Sequence, residues 1–156
     1  GALFYDNGIP GWHWSVNPEY GVALKFTPPS YPWTIDRVQF WPWSDTGAMD
    51  VTVHIWDDDG PGGLPGQTLL PAFEHRCVNT DTWEPVDLPA GVTITSGSFY
   101  VGWMQSTASL FYNGSDNDSA YDGRSFVRYP DGSWKNFADI GREVNIMIRQ
   151  GCRLVH

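Results

Sequence analysis

Apolar and polar residues alternate with a period of two along much of this chain. Val51, Val53 and Ile55 fall on one side of a segment whose other side carries Thr52, His54 and Trp56. Successive side chains of an extended strand point to opposite faces, so the pattern predicts a half-buried β-strand, with Trp56 outward or in a second layer. The same phase recurs at Val22, Leu24 and Phe26, at Val38 and Phe40, at Phe99, Val101 and Trp103, and at Val144, Ile146 and Ile148. Strands are expected over about 3–6, 20–27, 34–41, 50–57, 67–74, 82–88, 91–95, 98–105, 109–112, 124–129 and 143–150. Turn signals part them at Pro28-Pro29, Gly60 to Gly66, Pro89-Ala90-Gly91, Ser96-Gly97 and Asp131-Gly132. The polar run from Tyr112 to Gly123 reads as a surface loop. No convincing helix is found, and no repeat of about 20–50 residues suggests a propeller or solenoid. Together these signals predict one all-β domain over residues 1–156, a jelly-roll-like antiparallel β-sandwich with little or no helix.

Composition narrows the function classes. Nine tryptophans, eight phenylalanines and seven tyrosines in 156 residues are too many for a disordered chain and suffice for a core. The net charge is −9, and Lys25 and Lys135 are the only lysines. Such a field repels phosphate backbones and anionic headgroups, so nucleic acid is not an expected partner. No run approaches the roughly 18 apolar residues of a membrane helix, so no membrane insertion is expected. The chain starts Gly1-Ala2 without a basic and apolar leader, which fits a processed or excised chain.

Three groups of residues carry candidate chemistry. Cys77 and Cys152 are the two cysteines. Bridged, they would close a loop of about 75 residues and stabilise by roughly 4 kcal/mol; the alternative is two buried thiols. Asp57, Asp58 and Asp59, followed by a glycine-rich turn, offer oxygen ligands for Ca²⁺, which takes six to eight. The competing reading is an acidic turn whose carboxylates accept from nearby backbone N–H groups. Asp116, Asp118 and Asp122 are a weaker second set. Among the tryptophans, Trp12 and Trp14 share a face if extended, as do Trp41 and Trp43 around Pro42. Indole rings stack on the C–H faces of sugars, so these four are the candidate ligand-binding residues; core packing is the competing reading. Trp103 is placed in the core. Asn113-Gly114-Ser115 and Asn117-Asp118-Ser119 match the glycosylation sequon. The four histidines lie in no catalytic motif, no nucleophile elbow is present, and no enzyme is expected.

Several phrases resemble a known module. They are Tyr5-Asp6-Asn7-Gly8, Val22 to Pro29, Ile55-Trp56-Asp57-Asp58-Asp59-Gly60, Gly63-Leu64-Pro65-Gly66, Ser96 to Trp103 and Gly123-Arg124-Ser125. In this order they resemble the jelly-roll accessory modules of large secreted and cell-surface bacterial proteins, of the type found beside peptidases. The resemblance implies a non-catalytic extracellular domain. The expected function is binding of a glycan or another cell-surface ligand, with Ca²⁺ as a candidate cofactor. The alternative is a structural subunit that associates with copies of itself in an extracellular assembly; a small hydrolase is a third reading.

Overall fold

The computed structural model describes residues 2–44, 47–106 and 110–151. Twelve strands are formed among them: β1 (Trp12–Trp14), β2 (Gly21–Phe26), β3 (Trp33–Phe40), β4 (Met49–Asp57), β5 (Thr68–Cys77), β6 (Glu84–Ile94), β7 (Phe99–Met104), β8 (Asn113–Asp116), β9 (Ser125–Arg128), β10 (Trp134–Asn136), β11 (Asn145–Ile146) and β12 (Ile148–Gly151). The helical content of the described residues is two 3-10 turns, Pro61–Gly63 and Phe137–Ile140. The all-β, antiparallel expectation holds.

One sheet has the order β10-β9-β2-β7-β4-β5. Against it lie β12-β3-β6 and β1-β8-β11. These two smaller sheets meet where Pro42, just past β3, bridges Asn113 of β8, and where Met147 separates β11 from β12. Consecutive strands cross between layers, as from β2 to β3, β3 to β4, β5 to β6 and β6 to β7, which gives the jelly-roll-like topology.

The alternating positions fill the space between the layers. Val22, Leu24, Phe26, Val38, Phe40, Val51, Val53, Ile55, Phe99, Val101, Trp103, Ile146 and Ile148 all belong to one buried cluster. Trp56 lies on the other face of its sheet, where it is buried with Ala23, Tyr100 and Phe126 beneath Leu64, Met104 and Trp134. Its second-layer placement follows from its phase.

The strand map departs from expectation in several places: β1 and β10 fall where no strand is expected, the expected strand 143–150 is divided into β11 and β12 in different sheets, and four further differences follow. Residues 3–6 form only an isolated bridge, Leu3 to Gln150. The expected strands 82–88 and 91–95 are one strand, β6, with its register shifted opposite Asp36 at the Pro89-Ala90-Gly91 signal. A proline and a glycine can produce a bulge without ending a strand. The expected strand 109–112 forms no strand at residues 110–112; residue 109 lies outside the described residues. Finally, the polar run expected to be a loop begins with β8, whose four residues are all buried. Most of their polar groups bond within the fold: Asn113 Nδ2 donates to the Gly114 and Met147 carbonyls, and Ser115 Oγ to Asn117 Oδ1, while the buried Asn113 Oδ1 has no hydrogen-bond partner among the described residues. Burial of polar residues is tolerated when such partners exist.

Candidate functional site

The four candidate tryptophans come together around β8 but do not make two flat platforms. Strand β1 runs along β8, with Trp12 opposite Ser115 and Trp14 opposite Asn113. The other side of β8 meets the Trp41–Pro42 segment, where the Gly114 N–H donates to the Trp41 carbonyl. Gly114 is needed there, because a Cβ would lie 2.8 Å from Trp41 Cδ1.

Trp12 is 66% exposed. Trp14 is only half-exposed, because its ring packs on buried Phe137 at 4.8 Å. Trp41 meets Trp83 edge to face at 5.3 Å and donates its N–H to Asp81. Trp43 stacks on His13 at 4.7 Å and meets Tyr112 edge to face. Both rings are thereby half-buried. Spacing alone could not reveal these contacts, since Trp83, His13 and Tyr112 come from other segments. Arg149 extends the aromatic set: its guanidinium lies 4.3 Å from the Trp83 ring and 4.5 Å from that of Phe4, and it is held by buried Asp6. Trp12 is therefore the one tryptophan of the four presented mainly to solvent.

Trp12 stands at a surface cleft of ≈ 550 Å³, with Asn117, Arg142 and Glu143 among its lining residues. Gly141 to Val144, the residues that follow the 3-10 turn Phe137–Ile140, line its far side. The turn is capped at its start by the Asn136 side chain and ends at Gly141, whose φ of 70° is the left-handed region glycine accepts without strain. The next residues, Arg142 and Glu143, are exposed. A second cleft of ≈ 620 Å³ shares Trp14, Ser15 and Arg142 with the first and continues past Tyr20, Tyr112 and Tyr129. The two form a groove with an indole at one end, phenol rings at the other and Arg142 between. Sequence reasoning missed Asn117, Arg142 and Glu143, because only the fold brings β1 against the segment before β11.

The acidic turn lies elsewhere, at the end of β4. Asp57 accepts from the Asp58 N–H at 2.9 Å, Asp58 from the Ser98 N–H at 2.8 Å, and Asp59 from the Gln67 N–H at 2.7 Å. Burial, together with Asp59 and Asp58, pushes the Asp57 carboxyl above the usual carboxylate range. Gly97 has a φ of 69° and leaves room for Asp58, whose Oδ2 would lie 2.8 Å from any Cβ there. The turn thus clasps the loop before β7, with each of its three carboxylates accepting a backbone N–H. A ≈ 280 Å³ cleft, lined also by Thr93, Thr95 and Ser96, flanks it.

The second acidic set is dispersed in role. Burial alone would raise the Asp116 carboxyl, but hydrogen bonds from Ser119, Asp118 and Asn7 outweigh it and hold the group below its ordinary range. Burial pushes Asp122 upward. Cys152 lies outside the described residues, and with it the expected bridge to Cys77. Among the described residues Cys77 has no bridge; it is buried, and burial chiefly pushes its thiol up to about 12. Burial likewise lowers His54 to about 4, so its imidazole is neutral against Trp56.

Fold and groove define an all-β sandwich with an aromatic-rimmed surface cleft. No family model matches the chain, and no solved structure does. Over 101 residues the chain is 27% identical to Bacillopeptidase F of Bacillus subtilis (strain 168). The similarity covers 62% of this chain and only 7% of that much longer protein.

Proposed function

We propose that the chain is a non-catalytic extracellular recognition module that binds glycan in the groove beginning at Trp12. The observation that carries this reading is one two-thirds-exposed indole beside Asn117, Arg142 and Glu143. An exposed ring supplies stacking area, and exposed amide, guanidinium and carboxylate groups supply hydroxyl partners. The extended groove suits several sugar units in a row. The partial similarity to a protein named as a peptidase supports a place beside an enzyme domain in a longer chain. Titration calorimetry with a panel of soluble polysaccharides tests the reading. A bound polysaccharide is expected, with Trp12→Ala weakening it by about 1–3 kcal/mol while far-UV circular dichroism stays unchanged. No binding to any member, or equal binding by the variant, would overturn it.

A further inference from the structure

We propose that His75, Cys77 and Glu84 form a zinc site that staples the two layers together at their open edge. His75 and Cys77 are two apart on β5, so their side chains point the same way, opposite Val51 and Met49 of β4. Glu84 opens β6 in the other layer. One donor atom from each of the three lies within 4.8 Å of the others. His75 Nε2 and Glu84 Oε1 are 3.3 Å apart. Two ligands at about 2.0–2.1 Å from a tetrahedral zinc are separated by about this distance, and Sγ needs to stand about 3.6 Å from each. The sulfur has only a short approach left to make.

The chemistry of the set selects the ion. Thiolate with imidazole suits zinc, whereas calcium and magnesium take oxygen ligands. Glu84 is 2% exposed and Cys77 fully buried. A carboxylate removed from water needs donors or positive charge. Glu84 has the Val78 N–H at 2.7 Å and the Asn79 amide at 2.6 Å, which would also orient it as a ligand. Arg76, next along the strand, pairs instead with Asp50. On binding, Cys77 gives its thiol proton to solvent, and the His75–Glu84 contact is replaced by two bonds to the metal. The part-exposed His75 leaves a side open for entry and for water as fourth ligand. A sulfur held by zinc is not available for a bridge to Cys152.

The test uses the full chain, reduced and stripped of metal, titrated with Co²⁺ and then Zn²⁺. A thiolate-to-cobalt charge-transfer band with tetrahedral visible bands is expected, bleached by zinc, and zinc should raise the melting temperature. Cys77→Ala should abolish the charge-transfer band, and His75→Ala should weaken zinc binding more than about tenfold. Cys152→Ala should retain both. His75 is part-exposed, so its variant tests the site even where Cys77→Ala disturbs the core. Absence of the band in the wild type, its survival in Cys77→Ala, its loss in Cys152→Ala, or unchanged zinc binding by His75→Ala would overturn the proposal.

Discussion

At the scale of single residues, neighbours decide what a side chain does more than its type. Trp12 and Trp14 have the same phase on the same strand, yet Phe137 takes the second ring and leaves the first in water. The three aspartates after β4 show the same principle for charge. Three like charges in a row are tolerable because each carboxylate accepts a backbone N–H. Asp58 matters most, since it reaches 40 residues along the chain to the buried Ser98. Asp58→Ala strands that N–H, and an unsatisfied buried donor costs about 1–3 kcal/mol. Chemical denaturation should show a loss of this size in metal-free buffer. The same measurement with millimolar calcium separates the two roles of the turn. A ligand of the native state alone raises its stability. Stabilisation of the wild type that vanishes in Asp58→Ala would assign an ion to the turn, and equal curves with and without calcium would leave hydrogen bonding as its whole purpose.

At the scale of elements, β8 is the instructive case. Its sequence, Asn-Gly-Ser-Asp, has no apolar residue, yet every residue is buried. This has a consequence for modification. Asn113 donates both hydrogen bonds of its amide to carbonyls inside the fold, whereas Asn117 is exposed just beyond the strand. Expressed in a glycosylating host, the chain should carry glycan at Asn117 only, read by peptide mapping after enzymatic deglycosylation. Occupancy at Asn113 in folded protein would contradict the burial of β8. The same strand shows where sequence was legible and where it was not. Strands with one apolar face, such as β4 and β7, announce themselves because burial follows the period of two. Strand β8 is stabilised by polar partners contributed from β1, β11 and the segment after β3, and a pattern of hydrophobicity holds no trace of such partners. The groove suffered likewise: the aromatic Trp12 was visible in the sequence, while Asn117, Arg142 and Glu143 became its neighbours only through long-range pairing.

At the scale of the whole molecule, open sheets expose edges, and an exposed edge can pair with another copy. The edges here are interrupted. Strand β5, outermost in the large sheet, carries Pro71, where its register against β4 shifts between Val53/Phe73 and Ile55/Leu70. Strand β6, outermost in its sheet, carries Pro85 and Pro89, the latter also at a register shift. Proline lacks the N–H that a neighbouring strand would accept, and a bulge bends the edge away from a straight partner. Leu3 bridges the outer side of β12, and β10 is three residues long. A net charge of −9 adds mutual repulsion between copies. These features weigh against the alternative in which copies assemble strand to strand, and they predict a monomer. Light scattering coupled to size exclusion should give the mass of one chain across a wide concentration range and at both low and high salt. The double variant Pro71→Val, Pro85→Val restores two edge N–H groups without adding exposed charge. It should self-associate at concentrations where the wild type does not, most strongly at high salt, where charge repulsion is screened. A wild type that forms dimers or filaments under the same conditions would show that the edges are not what limits assembly, and would put the structural-subunit reading ahead of glycan binding.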